Sequence, residues 1–330
     1  MACNKPPGPA TISLSPEQPL TTDDLTVVFL SESADPNAKD TVSYEALWYV
    51  DGERRSDLTG MAVAASETTK GEVWKVIVVP TDGELDGPPV ASEVVIGNTP
   101  PLAAVSVDNA APLSDADVTA SATGTDADSD SLEFAYFWSV GGDAARVVEG
   151  ATLFAVETEK GEVWTVSAIA HDGEAESDPA TASVSIENVA PVVESVAIEP
   201  ADPKESSTLT AQVSADDGDD DTVALAYAWS VGGVEVQSSD ANTLTGALFN
   251  KHNVVTVEVT PNDGFTDGAP VTSDPATILN SPPVLASATL DPQEIYESTT
   301  VTCVPGGWSD DDGDAEATST PGRSMGSTRA

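Results

Sequence analysis

Asp126-Ala127-Asp128-Ser129-Asp130 leads into Phe134-Ala135-Tyr136-Phe137-Trp138-Ser139-Val140-Gly141-Gly142. The pair returns as Asp217-Gly218-Asp219-Asp220-Asp221 before Leu225-Ala226-Tyr227-Ala228-Trp229-Ser230-Val231-Gly232-Gly233. In both, an acidic loop runs into a strand that alternates aromatic and small residues and ends in a turn. Working outward, Trp48, Trp138 and Trp229 stand 90 and 91 residues apart. Asp82-Gly83, Asp172-Gly173 and Asp263-Gly264 each follow their tryptophan by 34 residues. The segments Asn98-Thr99-Pro100-Pro101, Asn188-Val189-Ala190-Pro191 and Asn280-Ser281-Pro282-Pro283 repeat in step. A fixed period over nearly the whole chain marks a tandem array, with three whole repeats and part of a fourth.

Within a repeat, period-2 alternation picks out strands. Tyr227, Trp229 and Val231 share one face, as do Leu209, Ala211 and Val213, then Trp164, Val166 and Ala168, and Val255, Val257 and Val259. A leading strand at Thr11 to Leu14 and a last strand at Ala91 to Ile96, or Ala182 to Ile186, bring the count to about seven strands in roughly 90 residues. The fold class expected is all-β: tandem seven-stranded immunoglobulin-like β-sandwiches in an extended array, with the tryptophan of the third strand in the core. The divisions are a tether over 1–9, repeats over 10–98, 99–189 and 190–281, a partial repeat over 282–317 and a tail over 318–330. Cys303 aligns with Ala211, Ala120 and Val27, which predicts a buried structural thiol.

The 330 residues include 56 acidic and 12 basic side chains, a net charge of −44. Such a surface repels nucleic-acid phosphates and anionic lipid headgroups and attracts divalent cations. Hydrophobic residues still make up 40% and sit in short alternating runs, the composition of a folded all-β chain rather than a disordered one. The two cysteines, Cys3 and Cys303, form no disulfide framework.

Both ends carry expectations of their own. Met1-Ala2-Cys3-Asn4 followed by Lys5-Pro6-Pro7-Gly8-Pro9 resembles the end of a bacterial lipoprotein signal, with Cys3 as the lipidated residue, Met1 internal to a longer chain and a flexible tether after it. Membrane association is expected only through that anchor. At the other end, the pattern stops after Ala315, and the tail carries Arg323, Met325 and Arg329, alien to this acidic chain. Between Thr318 and Gly326 the genetic code permits a Tyr-x-Trp-Ser-Val-x-Gly string in the neighbouring frame. A frameshift that truncates a longer array is therefore expected, leaving 318–330 disordered.

The acidic loop, the Tyr-x-Trp strand, the Asp-Gly turn and the Asn-x-x-Pro junction resemble the PKD-type and cadherin-like immunoglobulin-fold repeats of bacterial surface proteins. The resemblance spans about Ala10 to Asp314, although Gly141-Gly142 and Gly232-Gly233 replace the PKD Gly-Asp-Gly. Acids recur at three offsets before Trp138, Trp229 and the tryptophan that the neighbouring frame permits near Gly322: Asp126, Asp128 and Asp130; Asp217, Asp219 and Asp221; and Asp310, Asp312 and Asp314. Calcium takes six or more hard oxygen ligands, and alternate acids on a turning loop can converge. Asp172 and Asp263 belong to the loop at the same end of the sandwich, where Asn98 and Asn188 of the preceding repeat arrive. The cadherin-like resemblance implies calcium at these junctions. In repeat 1 the same offsets give Pro36, Ala38 and Asp40, which predicts no site there.

Catalysis finds no support. His171 and His252 are the only histidines, and Thr81 and Asn262 take the place of His171 in the sibling repeats. No nucleophile motif, zinc spacing or phosphate loop occurs. Lys70-Gly71-Glu72 and Lys160-Gly161-Glu162 read as solvated hairpin ends. The expected function is a non-enzymatic, monomeric cell-surface or periplasmic rod that meets an extracellular protein or glycan. The alternative is a binding accessory segment of a larger exported enzyme or adhesin.

Overall fold

The computed structural model describes residues 4–37, 40–141, 146–294, 296 and 299–315. In repeat 1, β1 (Thr11–Ser15), β2 (Leu25–Ser31) and β5 (Ala62–Val63) form one sheet in the order β1-β2-β5. The facing sheet, in the order β4-β3-β6-β7, holds β3 (Ser43–Val50), β4 (Glu53–Arg55), β6 (Val73–Thr81) and β7 (Val90–Val95). Repeat 2 copies this with β8 (Leu102–Val107), β9 (Val118–Thr125) and β12 (Thr152–Leu153) against β10 (Glu133–Val140), β11 (Val147–Glu149), β13 (Val163–His171) and β14 (Ala180–Ser185). Repeat 3 sets β15 (Val192–Glu199), β16 (Thr208–Asp216) and β19 (Thr243–Thr245) against β17 (Ala224–Val231), β18 (Val234–Ser239), β20 (Val254–Asn262), β21 (Val271–Thr272) and β22 (Ala276–Thr277). Its last strand is split in two around Asp274-Pro275, where proline cannot donate to the ladder. Repeats 1 to 3 are thus antiparallel seven-stranded sandwiches, as the spacing predicts, and repeats 1 and 2 form one compact unit while repeat 3 and its successor form another that includes Leu113–Asp115.

Each core is built from the inward faces of both sheets. Leu14, Leu25 and Val63 of one sheet meet Trp48, Trp74, Val76 and Val78 of the other. The third-strand tryptophan stands opposite a valine in the same register every time: Trp48 by Val76, Trp138 by Val166 and Trp229 by Val257. A second tryptophan, Trp74 or Trp164, fills the cores of repeats 1 and 2, and its indole N–H donates to Glu72 or Glu162 at 2.9 Å. Repeat 3 has Val255 at that place, and Phe249 joins the same cluster where the siblings carry Thr68 and Thr158. Volume moves from one position to another while the core stays filled.

Two expectations are corrected here. Cys303 is exposed, not buried. It lies on β24 (Thr302–Ser309), paired only with β23 (Val284–Asp291), and the described part of repeat 4 has no second sheet to cover that face. Nor are residues 4–9 a free tether. Pro7 is buried, Gly8 N–H donates to Ala34 O at 2.9 Å, and a Cβ on Gly87 would come within 2.5 Å of Pro7 O. Gly268 is in the same way pressed against Pro191 O. Asn4-Lys5-Pro6-Pro7 therefore fills the place that Asn188-Val189-Ala190-Pro191 fills in repeat 3. Cys3 and residues 316–330, with the anchor and frameshift expectations attached to them, lie outside the described residues.

Candidate cation sites at the repeat junctions

The acidic loop is a turn, and the turn is what gathers its alternate side chains. Ser129, Asp220 and Gly313 hold equivalent positions with φ of 64°, 60° and 70°, the left-handed region. Ser129 N–H, Asp220 N–H and Gly313 N–H each point back to the carbonyl of the first acid, at 3.4, 3.2 and 3.3 Å. That first acid then holds the loop from inside. Asp126 Oδ1 accepts from Asp128 N–H at 2.8 Å and Asp130 N–H at 3.0 Å. Asp217 Oδ1 does the same for Asp219 and Asp221, and Asp310 Oδ1 for Asp312 and Asp314. The second oxygen of each, Asp126 Oδ2, Asp217 Oδ2 and Asp310 Oδ2, is buried without a hydrogen-bond partner.

The middle acid has a different task. Asp128 Oδ2 accepts from Thr99 N–H at 2.8 Å, and Asp128 Oδ1 accepts from the Thr21 hydroxyl of repeat 1. Asp219 Oδ2 takes Val189 N–H at 2.9 Å, and its Oδ1 takes the Ser114 hydroxyl. Asp312 Oδ2 takes Ser281 N–H, but the residue that corresponds to Thr21 and Ser114 is Glu205, with no hydroxyl, and Asp312 Oδ1 has no hydrogen-bond partner. The middle acid thus latches the linker to the loop through hydrogen bonds.

The Asp-Gly turn and the junction asparagine complete the site. Asn98 Nδ2 donates to Asp172 Oδ2 and Asn188 Nδ2 to Asp263 Oδ2, both at 2.8 Å. Asp172 Oδ1 also accepts from the N–H groups of Glu174 and Ala175, both at 2.7 Å. The Asn98 amide first, then the Ala175 and Glu174 N–H groups, hold Asp172 at about 2 despite its burial. For Asp263 burial pushes upward, but the Asn188 amide and the Thr266 and Phe265 N–H groups outweigh it and bring the carboxyl to about 2. Both stay ionised near neutral pH while only 9% and 6% exposed.

A folded pKa below the unfolded one adds stability above the unfolded value, near 3.9, and that stability is lost as pH falls through the folded value. Both carboxylates therefore contribute fully above about pH 4, with the loss running from there toward pH 2. Asn98→Ala removes the largest support of Asp172, so the fall of melting temperature between those limits should flatten relative to the parent. Thermal scans at closely spaced pH values check this; an unchanged slope would show that Asn98 does not set the Asp172 ionisation.

Among the described residues, four groups of carboxylates bring one oxygen each within 4.8 Å of one another. They are Asp126, Asp128 and Asp130; Asp217, Asp221 and Asp263; Asp310, Asp312 and Asp314; and, in repeat 1, Asp35, Asp40 and Asp82. Asp219 serves the latch outside its group, and Asp172 lies outside the Asp126 group, linked to it through Asn98 and Lys70. The repeat 1 group lies where the offsets counted back from Trp48 find only Asp40. Its loop begins one residue earlier, at Asp35, whose Oδ1 accepts Asn37 N–H, so counting back from Trp48 misses it. Asn4 Nδ2 donates to Asp82 Oδ2 at 3.1 Å, the counterpart of the Asn98 to Asp172 bond. The match of Asn4-Lys5-Pro6-Pro7 to Asn98-Thr99-Pro100-Pro101 was the available signal. Lys70, read as part of a solvated hairpin end, also reaches these clusters, and so does Lys251: Lys70 Nζ pairs with Asp130 and Lys251 Nζ with Asp314.

Fold and site together define a tandem array of immunoglobulin-like sandwiches with an oxygen-rich cluster at the head of each repeat. No family model matches the sequence, and no curated protein matches it. Among solved structures, the chain is similar to the chicken CNTN1 FN1-FN3 domains at 13% identity and TM-score 0.27, over 83% of this chain and 100% of that one. It is similar to three N-terminal domains of the bacteriophage RB49 highly immunogenic outer capsid protein at 18% identity and TM-score 0.28, over 82% and 99%. It is also similar to three domains of titin at 13% identity and TM-score 0.33, over 83% and 99%.

Proposed function

We propose that this chain is a non-enzymatic, extracellular structural or adhesion protein whose immunoglobulin-like repeats are stiffened by a divalent cation, calcium, at their junctions. The observation that carries the reading is the Asp217 carboxylate. It is 6% exposed, its Oδ2 has no hydrogen-bond partner, and it meets Asp221 and Asp263 in one group. A buried, unpartnered carboxylate oxygen beside two further acids is costly unless a cation joins it. Calcium suits the site because every carboxylate donor is a hard oxygen. A carboxylate cluster at the head of each repeat supports a mechanical role: an ion there would tie the Asn-x-x-Pro linker to the loops of the next domain. Within the described residues no helix is long and apolar enough to cross a membrane. The surface location is part of the proposal, as is an extracellular protein or glycan partner, and the proposed state is a monomer.

Calorimetric titration of the chelator-treated chain with calcium tests the ion. Binding heat is expected together with a rise in melting temperature, since a ligand at about 100 times its Kd adds about 2.7 kcal/mol. No heat and no rise would sink the proposal.

A further inference from the structure

Lys70 lies in the hairpin end between Thr69 and Gly71 of repeat 1, yet its ammonium sits in the acid cluster of repeat 2. Lys70 Nζ is 3.0 Å from Asn98 Oδ1 and 3.0 Å from Glu174 Oε1, and it pairs with Asp130. The loop is set for this: Gly71 takes φ of 86°, and its N–H donates to Ile96 O at 2.8 Å, which brings the hairpin end against the strand that leads into Asn98. Repeat 3 builds the same contact toward repeat 4. Lys251 Nζ is 3.4 Å from Asn280 Oδ1 and pairs with Asp314. The charges of Asp314, Asp312 and Asp310 all act on that ammonium. In both junctions the lysine touches the same two groups, the junction asparagine oxygen and the third acid of the loop.

Those are also oxygens that a cation would use. Asn98 spends its Nδ2 on Asp172, so its Oδ1 is the atom it turns to the junction. Calcium holds its ligands at about 2.3–2.6 Å, which would place an ammonium hydrogen-bonded to the same oxygens within a few Å of a doubly charged ion. Like charges at that separation repel strongly outside bulk water. We infer that Lys70 and Lys251 are built-in competitors for the cation: in the ion-free protein the lysine of one repeat closes the acid cluster of the next, and calcium binds there by displacing it. The inference rests on the cation reading above. It gives these junctions two closed states, one clasped by an ammonium and one by an ion, and it sets a calcium threshold higher than the acids alone would give.

Two measurements on the full chain test it. The first is pulse acylation of lysines with mass-spectrometric readout, with and without saturating calcium. Lys70 and Lys251 should be slow without calcium and several-fold faster with it, while Lys75, on β6, stays constant. The second is calorimetric titration of Lys70→Met, which keeps the aliphatic stem and removes the charge. One class of sites should bind calcium about fivefold more tightly, the size expected for loss of a part-exposed ion pair. If calcium binds the parent while Lys70 reactivity stays constant and Lys70→Met binds no more tightly, the lysine is not a competitor, and the cation site itself stands. If neither the parent nor Lys70→Met binds calcium, the cation reading fails and the competition fails with it.

Discussion

Trp229→Ala is expected to destabilise repeat 3 by about 3–5 kcal/mol, the cost of emptying a fully buried aromatic site. Trp229 is 0% exposed and lies at the centre of a cluster with Leu209, Leu244, Phe249 and Val257. A domain of this size has about 5–15 kcal/mol in total, so the loss is a large share of its stability. Denaturant unfolding followed by circular dichroism should show an early transition that the parent lacks. Hydrogen exchange should place it in β15 to β22. Trp229→Phe is the control. It keeps much of the ring volume, and the indole N–H it deletes has no hydrogen-bond partner, so its cost should be far smaller. Equal costs for the two variants would mean that the indole N–H, and not the filled volume, holds the core.

Asp217→Asn should act in opposite directions with and without calcium. Asn keeps an Oδ1 to accept the Asp219 and Asp221 N–H groups, so the loop turn survives. It replaces the unpartnered Oδ2 with an amide that can donate toward the neighbouring acids Asp221 and Asp263, and it removes one charge from the group. The ion-free variant should therefore melt at or above the parent temperature. Calcium affinity at that site should fall at least about a hundredfold, beyond the loss seen when an outer-shell partner is removed. Differential scanning calorimetry with chelator and with calcium separates the two effects. A variant that keeps the full calcium-induced rise would show that Asp217 is not a ligand. One that melts well below the parent in chelator would show that the charge serves the fold.

These two experiments divide along the line between what is local in the chain and what is not. The core was legible because burial imposes a period. Trp48, Trp138 and Trp229 alternate with small residues on strands that must hide one face, and the period of about 90 residues recurs because each sandwich is one copy of a unit. The Asp-x-Asp-x-Asp spacing was legible too, since alternate positions of a short turn converge. Its division of labour was not. Nothing in Asp217-Gly218-Asp219-Asp220-Asp221 says that Asp219 latches Val189 N–H while Asp217 keeps an oxygen empty, because the linker backbone comes from another segment.

The all-β class, the repeat length, the strand faces and the acids before each third strand can be read from residue order alone. Hydrophobic alternation and turn chemistry act over a few residues and leave their mark there. It took the folded arrangement to reveal that Asn4 bonds Asp82 rather than forming a tether, that Asp35 takes the place counted for Pro36, that Cys303 is exposed, and that Lys70 reaches Asp130 of the next repeat. Each depends on which distant segment packs against which. Electrostatic pairing and burial act through space, over distances that loop lengths and domain packing set.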